Sequence, residues 1–188
     1  MCIGKSGMEK PPMEILTERL RLRAAVSNDA KPFFVNYTSD KDASLYLQRL
    51  PHQSLSETED FVKTWSSDSW ESGSNRFAWV ICERGDNIAV GLFLLLLTET
   101  VAEIHFGIAP RFWRQGLITE AGKGVMNWVK GSAIEAVSTV CDCENVASMS
   151  VLVKLGFTRL SLLPGHLFLP AFGEKRDCWV YGWERQKS

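Results

Sequence analysis

The chain lacks any excess of charge of one sign: 21 Lys and Arg stand against 22 Asp and Glu, giving a formal net charge of −1 and a pI near 6.3. Proteins that hold duplex nucleic acid do so through basic surfaces that release counterions, so this balance argues against nucleic acid as a bulk partner. Long apolar runs are missing too. The longest, residues 88–97, is far shorter than the roughly 20 residues of a membrane-crossing helix, and the opening MCIGKSGMEKPPM has no secretory apolar stretch. No membrane association is expected. The five cysteines, Cys2, Cys82, Cys141, Cys143 and Cys178, are odd in number and contain no C-x-x-C pair. Neither a disulfide framework nor a zinc site is indicated, which points to a reducing cytoplasm and no metal. Internal repeats and low-complexity segments are also absent.

What is present is 188 residues with 45% hydrophobic content, enough for one domain with a sizeable core. Residues 14–188 are expected to form it, with residues 1–13 as a disordered tail. Alternation of Leu20 and Leu22 with Arg19, Arg21 and Arg23 predicts a first strand over residues 15–23 with one wet face. Ser27, Asn28 and Asp29 offer caps for a short helix through Phe33, Phe34 and Val35. Ser56 with Glu59 reads as a capping box for a helix carrying Phe61, Val62 and Trp65, ending in residues 71–75. Residues 76–82, 88–97 and 101–108, joined by short turns, make an antiparallel meander. Beyond it come a helix, a strand over 137–143, a helix over 146–155, a strand over 157–163, a loop over 166–175 and a closing segment over 178–183. This is a mixed α/β (α+β) pattern.

The chain turns on residues 103–129, EIHFGIAPRFWRQGLITEAGKGVMNWV: an apolar strand, a basic turn with Gly116, and a helix whose Ile118, Ala121, Val125, Trp128 and Val129 form one apolar face. A strand passing through a glycine-bearing loop into a helix N-terminus exposes unpartnered N–H groups and a favourable dipole to an anion such as a pyrophosphate. By that physics alone, a simple turn remains open.

The wording of the loop adds to this. Arg111-Phe112-Trp113-Arg114-Gln115-Gly116 resembles the Gln/Arg-x-x-Gly-x-Gly/Ala signature of the GCN5-related N-acetyltransferases (the GNAT family), with Arg114 where the family usually has glycine. Residues 117–121 and the opening Thr17-Glu18-Arg19-Leu20-Arg21-Leu22-Arg23 resemble the branch that acetylates ribosomal-protein N-termini. Asn145-Val146-Ala147-Ser148, then Leu152-Val153-Lys154-Leu155-Gly156-Phe157, is similar to the family's second motif. The resemblance implies a single-domain acyl-CoA N-acyltransferase fold, a mixed, mostly antiparallel twisted sheet with helices on both faces. It implies acetyl-CoA as acyl donor, held by Arg111, Arg114, Gln115, Gly116, Leu117, Ile118 and Thr119 at the pyrophosphate. Phe106, Gly107, Ile108, Ala109 and Asn145 would hold the pantetheine arm.

Direct transfer to an amine needs a base for the amine, polarisation of the thioester carbonyl and a proton for the leaving thiolate. Glu103 is the candidate base because it stands among apolar residues, where burial raises a carboxylate's pKa; an edge glutamate in solvent or an ion pair is the bland alternative. His105 shares its strand face and an imidazole ordinarily titrates close to neutrality. Asn145 is also simply a helix cap, and Ser148, one turn on, is the candidate proton donor by default, because Leu152 occupies the place of the tyrosine used by many relatives. Positive φ at Arg114 would cost about 1–3 kcal/mol, against roughly 1.5–3 from a charge-assisted phosphate contact.

Tyr46, Gln48 and Trp79 are the candidate acceptor contacts, although core packing is the simpler reading of Trp79, as of Trp65 and Trp70. Cys141-Asp142-Cys143 reads as packing rather than redox or metal chemistry. The acceptor is an amine: a protein N-terminus, or a small molecule such as an antibiotic or polyamine. A coenzyme A-binding scaffold without chemistry is the reading from another class. The chain is expected to act as a monomer or homodimer.

Overall fold

A computed structural model describes residues 9–65, 68–71 and 74–186. The first strand predicted from sequence is two: β1 (Glu14–Leu16) and β2 (Leu20–Arg23) pair antiparallel through a turn at Thr17. A 3-10 turn (Ser27–Asp29), α1 (Ala30–Phe33), a π-turn (Phe34–Thr38) and α2 (Lys41–Ser44) follow. Next come α3 (Leu55–Thr64) and α4 (Asp68–Glu71).

The meander is β3 (Arg76–Glu83), β4 (Ala89–Leu97) and β5 (Val101–Ile108), and it leads to α5 (Leu117–Gly131). β6 (Ala136–Asp142), α6 (Val146–Lys154), β7 (Thr158–Leu169) and β8 (Glu174–Glu184) complete the chain. The strands form one sheet in the order β1-β2-β3-β4-β5-β6-β8-β7, antiparallel except for β5 with β6.

Opposite faces of this sheet carry different helices. Phe93 pairs with Phe106 and Trp79 with Phe93, so these rings share one face, and along β3 and β2 that face continues through Ile81, Leu22 and Ile15. Gly124 of α5 packs against Ile15 and Thr17 there. The other face carries Leu92, Leu94, Glu103, His105 and Gly107, and Tyr37 of the π-turn closes over Gly107. Helix α5 buries Leu117, Ala121, Val125, Met126 and Val129, each large side chain contributing roughly 1.5–3 kcal/mol.

Several expectations need correction. The helix cap is Ser54, which accepts from Glu57 N–H, while Glu57 accepts from Gln53 N–H. The box therefore sits two residues before Ser56 and Glu59. That helix stops at Thr64 rather than reaching residue 71, and the backbone resumes as a separate turn of helix, α4. Residues 166–175 are mostly strand: β7 runs through Leu169 and returns at Glu174 by a tight turn.

Residues 1–8 of the expected tail lie outside the described residues. Residues 10–12, by contrast, are tied down, because the Trp70 and Trp79 indoles donate to Pro11 O and Pro12 O at 2.9 and 3.0 Å. Arg23 does not join a wet face. Its guanidinium forks onto Asp29, two bonds of 2.7 Å, with both side chains buried.

Candidate active site

β5 and β6 run parallel and pair only at Val101, Ala102 and Glu103, the last opposite Ser138. Beyond that point β6 pairs with β8 alone, so residues 105–108 keep one backbone edge without a strand partner. The carboxyl ends of two parallel strands thus diverge, a common place for a ligand in an open sheet. One arm of the opening runs through β5 into α5, and the other runs through β6 into α6.

At the end of the first arm, a 3-10 turn (Pro110–Phe112) leads into a loop in which Arg114 has φ 60° and Gly116 φ 76°. The left-handed turn at Gly116 suits a residue without Cβ; Arg114 holds the same conformation against a steric cost. This aims the chain so that the N–H groups of residues 114–119 have no hydrogen-bond acceptor among the described residues; the first helical bond is from Glu120 N to Gly116 O. Six consecutive unpartnered amides at a helix N-terminus, with Arg111 and Arg114 exposed beside them, fit a pyrophosphate.

Two residues not singled out from sequence brace this cradle. Arg19 donates to both Glu120 carboxylate oxygens, through its N–H at 2.8 Å and its Nε at 2.7 Å, and its Nη1 donates to Gln115 O at 3.1 Å. Thr17 Oγ1 donates to Glu120 at 2.5 Å. Burial works against the Glu120 charge, but these bonds outweigh it and hold the carboxyl below its usual range. In the sequence Thr17 belongs to the opening motif and Arg19 to that motif and to the alternation of the first strand. Their contact with Glu120, a hundred residues on, carries no local signal.

On the second arm Asn145 caps α6, its Oδ1 accepting from Ser148 N at 3.1 Å. Burial pushes the Cys141 thiol up to about 11, opposed by a hydrogen bond from Ser148. A thiol that far from ionising is a packing group, as expected. Leu152 is 1% exposed, so the place of the usual tyrosine is filled by core.

Glu103 and His105 meet: His105 Nε2 lies 2.8 Å from Glu103 Oε1, with side chains 40% and 46% exposed, respectively. The burial expected of Glu103 is not found; its neighbours Leu94 and Leu96 on that face are themselves only half-buried. A hydrogen-bonding Glu103–His105 contact at the vertex of the opening takes the place of a desolvated carboxylate.

Of the acceptor candidates, Tyr46 is well placed. Its ring packs on Phe172 in the β7–β8 turn at 5.7 Å, and its hydroxyl donates to Glu144 O at 3.4 Å, beside Asn145. Arg176 lies over Phe172 and is held by Asp142, Glu144 and Glu174. Gln48 is exposed. Trp79 is corrected to core: it is fully buried, on the sheet face opposite Glu103 and His105, and packs on Trp70. Among the described residues no three His, Cys, Asp or Glu gather as a metal site, and no helix is long and apolar enough to cross a membrane.

Comparison with known proteins agrees with this geometry. The profile of the family described as Acetyltransferase (GNAT) domain matches residues 19–158. An uncharacterized N-acetyltransferase of Bacillus subtilis, YoaA, is 26% identical over 158 residues, 81% of this chain and 86% of that protein. Among solved structures, a GNAT-family acetyltransferase from Bacillus anthracis superposes with a TM-score of 0.78 at 24% identity, covering 92% of this chain and 98% of its own. RimL, a ribosomal-protein α-N-acetyltransferase solved with coenzyme A, gives 0.79 at 20% identity over 91% and 97%. At these identities the two structures speak to the fold.

Proposed function

The chain belongs to the acetyltransferase (GNAT) family of acetyl-CoA-dependent acyltransferases, and from that premise we propose that it transfers acetyl to the α-amine of a protein N-terminus by direct attack in a ternary complex. The observation that carries the proposal is the row of six unpartnered amides over residues 114–119, continuous with the free edge of residues 105–108. The amides of Arg114, Gln115, Gly116, Leu117, Ile118 and Thr119, with the Arg111 and Arg114 charges, hold the pyrophosphate. Phe106, Gly107, Ile108 and Ala109 on one arm and Asn145 on the other hold the pantetheine chain.

The chemistry then falls to three side chains. His105 takes the proton of the incoming amine, and Glu103, on its Nε2, orients the ring and stabilises its charged form. Ser148 protonates the departing thiolate. Tyr46 and Gln48 face the acceptor, which enters beside the β7–β8 turn. An α-amine is already partly neutral near pH 8, which suits a half-exposed base. The likeness to RimL and the opening motif of residues 17–23 favour a protein N-terminus over an antibiotic or polyamine. The site is placed in the cytoplasm, where acetyl-CoA is available.

Calorimetric titration with acetyl-CoA tests the reading. Micromolar binding by the wild type, lost in both Asn145→Ala and Gly116→Val, is the expected outcome; binding that both variants retain, or none by the wild type, refutes the placement. Acetylation of N-terminal peptides without turnover of small amines identifies the acceptor class, and turnover of small amines alone reverses it.

A further inference from the structure

Tyr37 is 4% exposed and lies in the π-turn Phe34–Thr38, a rare backbone form that recurs at functional sites. Its ring stacks on Phe33 at 5.1 Å. Its hydroxyl stands directly over Gly107: a β-carbon at that position would overlap it. Gly107 belongs to the stretch of β5 with an unpaired edge, and it follows His105 and Glu103 along the same strand face. The hydroxyl of a largely buried tyrosine from across the molecule is thereby brought to the arm on which the acyl donor is placed, on the side of the sheet that carries the base.

The group behind this hydroxyl is Arg49. Its Nη1 donates to Thr38 O, Ser44 Oγ and Leu50 O at 3.0, 3.1 and 3.1 Å. Its Nη2 is buried without a partner among the described residues, and its guanidinium carbon lies 5.7 Å from the Tyr37 ring centroid. A guanidinium has protons to give and no lone pair to offer. The phenol oxygen can accept from it, but the phenol proton finds no acceptor there, and no described residue supplies another. An unpartnered buried donor such as Arg49 Nη2 costs roughly 1–3 kcal/mol, and the spare phenol proton beside it suits an oxygen from outside the chain.

We propose that the Tyr37 hydroxyl is the side-chain oxyanion donor of the acetyl transfer, hydrogen-bonded to the thioester carbonyl oxygen, with Arg49 as the buried charge that orients and supports it. This rests on the reading of residues 105–119 as the acyl-donor site. As the amine nitrogen bonds to the acyl carbon, the carbonyl π pair moves onto oxygen, where it gains the Tyr37 hydrogen bond without taking the proton. The amine's proton passes to His105. Collapse restores the C=O bond, breaks the C–S bond and sends that electron pair out on the coenzyme sulfur. Tyr37 then fills a role that a backbone N–H alone would otherwise carry, and Gly107 is required because any side chain there would displace the hydroxyl.

Tyr37→Phe removes the donor and keeps the ring. The expected result is a kcat lower by about 10²-fold, the loss typical of one oxyanion donor. The KM for the amine, the calorimetric affinity for acetyl-CoA and the melting temperature stay as in the wild type. Arg49→Gln lowers kcat by itself and adds little in the Tyr37→Phe background, because the two act as a unit. An unchanged kcat overturns the proposal. So does a raised amine KM at constant kcat, which makes Tyr37 an acceptor contact, or a lowered melting temperature, which makes its hydroxyl a bond within the fold. Failure of the underlying acyl-donor reading shows separately, as wild-type protein that does not bind acetyl-CoA.

Discussion

His52 sits at the end of a buried polar chain in which Thr38 and Thr58 share a hydrogen bond of 2.7 Å and Thr58 meets His52 Nδ1 at 2.8 Å. Burial, then the Arg49 charge, push its pKa below the ordinary imidazole value, with Glu57 opposing. The folded state therefore binds fewer protons here than the unfolded chain does once pH falls below about 6.5. This contribution to stability is complete above that value and is lost as pH drops through the folded pKa. Urea melts at about pH 7.5 and about pH 5.5 should show the acid-side decline, shallower in His52→Gln; identical slopes would remove His52 from the account. The Arg23–Asp29 pair acts at the same scale: removing either partner leaves a buried charge uncompensated, a penalty of about 3–5 kcal/mol, whereas an exposed pair such as Arg21 with Glu14 is worth under about 1.

At the scale of the element, the loop into α5 holds Arg114 in a left-handed conformation that costs roughly 1–2 kcal/mol, while its guanidinium lies exposed beside six free amides. The conformation is imposed by the loop, and the charge offsets it only when an anion is bound. Arg114→Gly should consequently leave the melting temperature nearly unchanged, relief of strain balancing the looser unfolded chain, while weakening acetyl-CoA by about tenfold and flattening the salt dependence of binding. Affinity equal to the wild type at every ionic strength would mean that the guanidinium touches no phosphate. The neighbouring α5 N-terminus is held from outside by Thr17 and Arg19 through Glu120. A helix start that reads locally as complete is in fact anchored to the first hairpin of the chain.

At the scale of the whole molecule, the site exists because β5 and β6 pair for three residues and then part. Amides that no strand or helix satisfies should exchange with solvent rapidly and be protected by the ligand that satisfies them. Hydrogen exchange is thus expected to slow at Phe106, Ile108 and residues 114–119 when acetyl-CoA is added, with β2 and β3 unaffected; protection elsewhere and none at these amides would move the site. The meander β3–β5, β6, the helices α5 and α6, the Asn145 cap and the turn at Gly116 were legible in the sequence because each depends on neighbours within a few residues: alternation, helical spacing, a cap three residues from its donor, a glycine at a turn. The box at Ser54 was misplaced because two Ser-x-x-Glu registers two residues apart differ by nothing local. The acceptor role offered for Trp79 and the wet face offered for Arg23 were misread, and the anchoring of Pro11 and Pro12 left no local sign, because the partners lie 67, 6 and about 60 residues away or point inward on a strand that looks amphipathic. What the sequence by itself determined is the order of elements and the local geometry of the two motif loops, since short-range sterics and hydrogen bonding decide those. Only the tertiary structure decided that β5 and β6 diverge, that Glu103 is paired with His105 rather than buried, and that Tyr37, with Arg49 against its ring, arrives over Gly107. The divergence and the Tyr37 contact are long-range, and the exposure of the Glu103–His105 pair, itself local, is settled with them by how the whole sheet packs its helices.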